Sequence, residues 1–436
     1  MDPWLVTIIL FGSLFLSLVL GVPLVFCFGG TAVIFTTLLW GPKSLAIIAL
    51  TAYQDGTNYI LLTVPLFVLM ANVLEHSGIA EDLYDMMYKW MGKLAGGLAI
   101  GTIIICAIFA AMSGISGVAT ITMGLIALPS MLKRGYSKFL AVGCVSAGGT
   151  LGILIPPSVI MILYAFLTEE SVGKLFIAGV FPGIVMTIIF SSYIFTVCLM
   201  NPKLGPPIDE AVDWMAKLRS LKAVILPLLL IVLVLGVIYS GICTPTEASA
   251  VGALGALASA FIQGRLTWKV LTQSLQRTLV LTCMVMWILI GATCFTQLYT
   301  ALGAPDLLNK LISGWEVSRW VLLFFMMFIL FILGMVMDPA GIIMITMPVF
   351  LPIVKMVGFD TIWFGVLFTI NMEMGYITPP FGFNLFYMRA IAPKEVSMQD
   401  IYRAIIPFVG LLWIGLIIVI LFPELATWLP AQMIRK

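Results

Sequence analysis

Long apolar runs separated by short polar loops dominate this chain of 436 residues. A helix needs about 20 apolar residues to cross the hydrocarbon core of a bilayer. Measured against that length, the hydrophobic pattern predicts spans near 4–21, 23–40, 59–75, 138–168, 175–199, 223–240, 247–263, 278–299, 360–390 and 403–422. The pattern therefore predicts an all-α polytopic membrane protein.

Two more apolar segments, 97–132 and 319–357, are interrupted near their middles by small or polar residues. We call the interruptions at 113–117 and 337–341 the first and second tips. Each segment forms either two spans or one re-entrant hairpin. If both are hairpins and the N-terminus lies outside, 15 of the 22 basic residues lie in cytoplasmic loops, which satisfies the positive-inside rule. We therefore expect hairpins, with both chain termini outside.

The polar segment 201–222 separates two similar halves, 1–200 and 223–436. Three pairs of landmarks align with offsets of 225, 224 and 223 residues, and such a constant offset indicates an internal repeat. The aligned pairs are Gly78 with Gly303, Ile121 with Ile345, and Pro156 with Pro379. Each half then holds five spans and one hairpin. Because five is odd, the second half is predicted to be inverted, with 201–222 as a cytoplasmic connection.

Two spans in corresponding positions, 138–168 and 360–390, contain helix-breaking residues. We call 148–158 and 373–384 the first and second breaks. Proline removes an amide donor, and an unpaired backbone group in lipid costs several kcal/mol. A proline kink without a ligand would explain one break, but two matched breaks at the midplane favour an ion or solute site. In the first break, freed carbonyls and the hydroxyls of Thr150 and Ser158 are hard oxygen donors suited to Na⁺.

Small and hydroxyl-bearing residues form the first tip. Gly114 and Gly117 would allow this tip to approach the break closely, and Ser113 and Ser116 would add oxygen ligands. The alternative is close packing of two full spans through small residues.

Asp338 and Glu373 are the carboxylates placed deepest in apolar segments. A bare charge there is costly, so we expect these groups to face a cation, a coupled proton or the solute, with a structural hydrogen bond as the alternative. Asn371 and Asn384 flank the second break. Their amides could bind a carboxylate or hydroxyl of a solute, or could serve packing.

The amino-acid composition excludes several classes of protein. The chain is 62% hydrophobic and 10% charged, whereas a soluble domain carries about 25% charged residues. A net charge of +2 excludes a nucleic-acid binder that depends on basic surface. One histidine and seven cysteines without CxxC spacing provide neither a metal cluster nor a nucleophile with its base, so we expect no enzyme activity.

Several motifs together resemble one family, the large membrane subunit of TRAP (tripartite ATP-independent periplasmic) transporters, also called DctM-like. They are Val64-Pro65-Leu66-Phe67, Gly78-Ile79-Ala80, Met112-Ser113-Gly114-Ile115-Ser116-Gly117, Lys133-Arg134-Gly135-Tyr136, Gly152-Ile153-Leu154-Ile155-Pro156-Pro157-Ser158, Thr244-Pro245-Thr246-Glu247-Ala248 and Gly375-Tyr376-Ile377-Thr378-Pro379-Pro380-Phe381-Gly382-Phe383-Asn384-Leu385-Phe386. The resemblance runs nearly end to end. Ile115 departs from the Ser-Gly-Ser run that many members carry at this tip, so position 115 can offer only backbone ligands.

This resemblance implies a secondary active transporter. It would import an organic acid (a dicarboxylate, sialic acid or sugar acid) with Na⁺ across a bacterial inner membrane. Its partners would be a periplasmic substrate-binding protein and a small four-helix membrane subunit. The implied fold is that of elevator transporters, in which hairpins and broken helices slide against a scaffold. The alternative is a carrier of the same superfamily that works without a binding protein.

The resemblance also implies the positions of two Na⁺ sites and one solute site. The first Na⁺ site would join the first tip to the first break, through Ser113, Ser116, Gly117, Gly148, Thr150, Gly152 and Pro156. The second would join the second tip to the second break, through Met337, Asp338, Gly341, Gly375, Thr378 and Pro379. The solute would lie between the tips, near Ser116, Thr150, Asn371, Glu373 and Asn384.

Overall fold

The computed structural model describes residues 3–207, 213–303 and 317–433, and this part of the chain is helical without β-strands. Residues 208–212 of the predicted connection and the basic end at 434–436 lie outside the described residues, as does 304–316. In the first half the helices are α1 (Pro3–Val19), α2 (Leu24–Trp40), α3 (Leu45–Gly56), α4 (Thr63–His76), α5 (Ile79–Met91), α6 (Gly97–Ser113), α7 (Ser116–Lys133), α8 (Lys138–Thr150), α9 (Val159–Thr168) and α10 (Val172–Met200).

The connection 201–222 contains a short 3₁₀ turn at Pro202–Leu204 and helix α11 (Trp214–Ser220). The helices of the second half are α12 (Lys222–Tyr239), α13 (Pro245–Ile262), α14 (Trp268–Ala301), α15 (Arg319–Gly334), α16 (Pro339–Met356), α17 (Thr361–Tyr376), α18 (Phe383–Ile391), α19 (Met398–Leu421) and α20 (Glu424–Ala431).

By length and composition, eight helical segments of the described chain could cross a membrane. They are Tyr59–His76, Ser116–Lys133, Val172–Met200, Trp214–Tyr239, Pro245–Ile262, Trp268–Ala301, Pro339–Met356 and Met398–Leu421. Nine of the ten predicted spans fall on one of these or on a shorter apolar helix, and the tenth, 360–390, falls on α17 and α18. The prediction of a polytopic all-α membrane protein is therefore confirmed.

Helix order in the two halves agrees with a repeat. The series α6, α7, α8, α9, α10 recurs as α15, α16, α17, α18, α19, with a helix interruption at each tip and another at each break. The first break contains a 3₁₀ turn at Leu151–Ile153, and the Pro–Pro peptide bonds of both breaks are cis. Both helices are therefore interrupted at the positions where the glycine and proline residues predicted a break.

The first parts of the broken helices, α8 and α17, lie at the centre of the molecule. Every residue of α17 from Trp363 onward and of α8 from Leu140 onward is buried. Helix α6 is almost as enclosed, whereas the outer helix α12 buries only four residues. Because a helix that is apolar on all sides belongs in an interior, this arrangement places the first break inside the helical bundle, whereas the second break begins inside and is exposed at Pro380 and Phe381.

Candidate functional site

The backbone of the first tip touches the first break. Gly114, at φ +63°, ends α6, and a β-carbon there would lie 2.3 Å from the carbonyl oxygen of Pro157. At Gly152, a β-carbon would lie 3.0 Å from the carbonyl of Ile115. The amide of Val159 donates to the carbonyl of Gly114 at 3.4 Å. The tip therefore supplies an acceptor to the helix that restarts after the break.

Two glycines let α8 pack directly against both arms that meet at the first tip. A β-carbon on Gly148 would lie 2.9 Å from the Cys106 sulfur of α6, and one on Gly149 would lie 1.9 Å from the Thr120 hydroxyl of α7. Since no larger residue would fit at Gly149 without moving α7, these glycines set the depth at which α8 lies between the arms.

Three buried hydroxyls around this contact, on Ser113, Thr120 and Ser146, make no hydrogen bond within the described part of the chain. They belong to α6, α7 and α8 respectively. A buried polar atom without a partner costs about 1–3 kcal/mol, so their oxygens are available to a ligand. The sequence predicted Ser113 but not Thr120 or Ser146, which lie about one helical turn from the glycine motifs and carry no motif of their own.

Two hydroxyls that the sequence assigned to the first break are already hydrogen-bonded. The Thr150 hydroxyl donates to the Ala147 carbonyl at 2.7 Å. The Ser158 hydroxyl donates to the Ile153 carbonyl at 2.6 Å and, as the N-cap of α9, accepts from the amide of Met161 at 3.4 Å. Ser158 thereby satisfies part of the broken backbone, while Thr150 retains lone pairs and is fully buried, as is Pro156.

Helix α18 of the second half packs against the first tip. The Ser116 hydroxyl donates to Asn384 Oδ1 at 3.0 Å, and Asn384 Nδ2 donates to the Ser146 carbonyl at 3.3 Å. Nearby, a β-carbon on Gly117 would lie 2.8 Å from the ring of Tyr387. Ser116, Gly117 and Asn384 were predicted from segments more than 260 residues apart, and the fold brings them together.

The residues just before the second tip, at the end of α15, contact the second break in a similar way. A β-carbon on Gly375 would lie 2.6 Å from the backbone of Gly334. The amides of Phe381 and Gly382 both donate to the carbonyl of Met335, at 3.2 and 3.4 Å. Each break is therefore hydrogen-bonded to the helix interruption of its own half.

Both oxygens of Asp338 are engaged. One accepts from the amide of Ala340 at 2.9 Å, which makes Asp338 the N-cap of α16, and the other accepts from the Tyr376 hydroxyl at 3.0 Å. The carboxylate thus ties the second tip to the end of α17, which corresponds to the structural hydrogen bond that the sequence left as the alternative. Tyr376 was not predicted as a site residue.

The other residues predicted for the second Na⁺ site do not all lie at the second break. Met337 is buried beside Gly341, where a β-carbon would lie 3.0 Å from Leu24 of α2, an outer helix. The Thr378 hydroxyl donates to the Met374 carbonyl at 2.6 Å, and Pro379 is half-buried. Gly341 therefore packs against α2, whereas Thr378 and Pro379 remain at the break.

Asn371 and Glu373 point to different sides of α17, since two residues along a helix differ by about 200°. The Asn371 amide donates to the Met327 carbonyl of α15 at 2.8 Å. Both Glu373 oxygens are buried without a hydrogen-bond partner among the residues described. Asn371 thus joins two helices, and Glu373 is a buried carboxylate with no basic partner there.

Known proteins resemble this chain over nearly its whole length. Residues 11–425 match the family described as "Tripartite ATP-independent periplasmic transporter, DctM component". The "C4-dicarboxylate TRAP transporter large permease protein DctM" of Pseudomonas aeruginosa is 36% identical, covering 91% of this chain and 92% of the relative. The "Isethionate TRAP transporter permease protein DctMQ" of Oleidesulfovibrio alaskensis is 30% identical, covering 96% of this chain and 65% of the relative.

One solved structure shares the fold. The YdaH transporter of Alcanivorax borkumensis superposes with a TM-score of 0.63, covering 89% of each chain at 14% sequence identity. At this identity the likeness concerns the fold alone.

We expect Ser116 and Asn384 to stabilise the protein as a coupled pair. In a double-mutant cycle of Ser116→Ala and Asn384→Ala, the coupling in the free energy of unfolding should be about 1 kcal/mol, because each change removes the same buried hydrogen bond. Reversible unfolding of the detergent-solubilised protein measures it. Ser116→Ala combined with Gln54→Ala, on exposed α3, is the control and should be additive. Additivity of the Ser116–Asn384 pair would contradict the bond.

Proposed function

The chain belongs to the family of the DctM component of tripartite ATP-independent periplasmic transporters, and on that premise we propose that it couples the import of an organic acid to Na⁺. Its relatives are transporter permease subunits and not enzymes, which agrees with the expectation from composition. The observation that carries the Na⁺ proposal is the set of three partnerless hydroxyls, on Ser113, Thr120 and Ser146, around the first tip and break.

The donors of the first site suit an alkali cation. Hydroxyl and carbonyl oxygens are hard ligands, and at this tip they are neutral, which favours a singly charged ion over Mg²⁺ or Ca²⁺, whose sites use carboxylates. We propose that Ser113, Thr120 and Ser146 join the predicted Ser116 and Thr150 as candidate ligands, with backbone carbonyls between Gly148 and Pro156. Gly117, Gly148 and Gly152 contribute by allowing close approach.

A second Na⁺ site is proposed at the second tip and break. Thr378 and the carbonyls between Gly375 and Pro379 would supply ligands, with Met337 at the tip. Asp338 would act by holding Tyr376 and the start of α16 in place, since both its oxygens already accept hydrogen bonds. Gly341 would serve packing against Leu24.

The proposed solute site lies where the Ser116–Asn384 contact joins the halves, with Thr150 and Glu373 as further candidates. Asn371 is a weaker candidate, because its side-chain nitrogen already donates to α15 and only its Oδ1 has no partner among the described residues. Relatives named for C4-dicarboxylate and isethionate transport support a small organic acid as the solute.

The remaining elements of the proposal concern movement and partners. We propose that the halves form inverted repeats and that the block of hairpins and broken helices moves as an elevator in a bacterial inner membrane. A periplasmic substrate-binding protein and a small membrane subunit would complete the system, as the tripartite name of the family suggests.

Reconstitution tests the coupling directly. Proteoliposomes that contain this chain, its small subunit and the binding protein encoded beside it should accumulate the solute only with an inward Na⁺ gradient. Replacing Na⁺ with K⁺ should abolish accumulation, and unchanged accumulation in K⁺ would refute the coupling. Uptake by this chain alone would favour the carrier that needs no binding protein.

We expect loss of a first-site hydroxyl to weaken Na⁺ binding. Thr120→Val, Ser116→Ala and Thr150→Ala should each raise the Na⁺ concentration for half-maximal uptake, by up to about tenfold for one lost ligand. Thr187→Val is the matched control, because the Thr187 hydroxyl bonds only to the Gly183 carbonyl within α10. An unchanged Na⁺ dependence in all three variants would contradict the proposed first Na⁺ site.

We expect Glu373→Gln to impair transport while membrane insertion stays intact. The amide keeps the volume of the side chain but removes a carboxylate able to pair with a cation, a proton or the solute. Uptake per inserted protein is the measurement, with Glu395→Gln, at an exposed position, as the control. Normal uptake in Glu373→Gln would show that Glu373 serves packing and does not take part in transport.

A further inference from the structure

A cavity of about 630 Å³ lies away from both breaks, where α5, α11 and α12 meet the connection between α13 and α14. Its charged lining consists of four basic and three acidic side chains. They are Lys89, Arg219, Lys222, Arg265, Asp82, Asp85 and Asp213. None of these residues belongs to the proposed ion or solute sites.

The cavity lies at the ends of membrane spans. Lys222 begins α12, and Gln263, which also lines the cavity, directly follows α13. Beside it the rings of Trp90 and Trp214 pack 5.9 Å apart, and Trp214 remains 63% exposed. Tryptophan is enriched at the level of lipid headgroups, so this position fits the boundary between hydrocarbon and water.

Two of the basic residues are already neutralised. Arg265 pairs with Asp82 at 2.7 Å and also donates to the carbonyls of Ser77 and Gly78. Lys89 pairs with Asp85 on the same helix. The Arg265 contacts hold the loop between α13 and α14 against α5, and the two ion pairs leave neither cation free for a ligand.

Arg219 and Lys222 differ, because they are exposed and make no ion pair within the described chain. Among the described lining residues Asp213 is the remaining acid, so these residues together keep a net charge of +1, from four positive and three negative groups. Exposed apolar side chains of α11, Met215 at 54% and Leu218 at 43%, lie on the same short helix as Arg219.

We propose that this cavity binds the phosphodiester headgroup of an anionic membrane lipid through Arg219 and Lys222. A phosphodiester carries one negative charge, which balances the excess charge of the lining. Arginine bonds phosphate oxygens in a bidentate manner, and basic residues next to a span attract anionic lipids. Met215 and Leu218 would contact the acyl chains, an arrangement that a soluble phosphate compound would not use.

Native mass spectrometry of the full chain tests the proposal. The delipidated protein is mixed with equal amounts of phosphatidylglycerol and phosphatidylcholine with identical acyl chains. The wild type should retain phosphatidylglycerol preferentially. In the double variant Arg219→Gln/Lys222→Gln, the ratio of bound phosphatidylglycerol to bound phosphatidylcholine should be about tenfold lower than in the wild type. Lys203→Gln/Lys269→Gln, with the same charge change at exposed positions outside the cavity, should stay within about twofold of the wild type.

Three further outcomes decide between explanations. Equal loss in both double variants would overturn the proposal, because it would show attraction to overall charge. Displacement of the lipid by an equal concentration of glycerol phosphate would also overturn it, because the ligand would then be a soluble phosphate. If the Arg219→Gln/Lys222→Gln variant does not fold, Asp213→Asn takes its place. Removing that acid should increase the preference for phosphatidylglycerol, and an unchanged preference would count against the cavity.

Discussion

Backbone amides and carbonyls must find partners inside a membrane protein, and this requirement shapes both broken helices. In the first half the amide of Val159, just after the break, donates to the carbonyl of Gly114 at the tip. In the second half the amides of Phe381 and Gly382 donate to the carbonyl of Met335. An interruption in one helix is thus compensated by an interruption in another, so a tip and its break depend on each other.

Close approach of backbones follows from this pairing. Gly114, Gly152 and Gly375 each lie where a β-carbon would meet another backbone at 3.0 Å or less. The two proposed sites then differ in polarity. The first has neutral hydroxyls in a buried setting, whereas the second has the Asp338–Tyr376 hydrogen bond and a more exposed break, where Phe381 is 49% accessible. A cation at the first proposed site would therefore be bound by the dipoles of neutral hydroxyl and carbonyl oxygens. At the second proposed site, the Asp338 carboxylate holds the neighbouring residues in place through its hydrogen bonds.

Hydrogen bonds between the halves connect these sites into one block. Asn384 of the second half holds Ser116 and the carbonyl of Ser146 in the first. Elsewhere in the bundle, the Tyr164 hydroxyl donates to the Thr361 carbonyl at 2.7 Å, and the Thr361 hydroxyl bonds to Glu170. Because both contacts link segments far apart in sequence, displacement of either broken helix would strain the other half. That property suits the moving domain of the proposed mechanism.

The sequence alone determined the helical membrane architecture, the positions of both breaks and both tips, and the family. These features depend on local composition, since span length, glycine and proline act within a few residues. Only the tertiary structure decided which polar groups remain available. Thr120 and Ser146 carry no motif, but packing of α6, α7 and α8 buries their hydroxyls, which have no hydrogen-bond partner among the described residues. Asp338 stands in an apolar segment as Glu373 does, yet hydrogen bonds from Ala340 and Tyr376 engage both of its oxygens. Whether a polar side chain is satisfied depends on its neighbours in space, which the hydrophobic pattern does not specify.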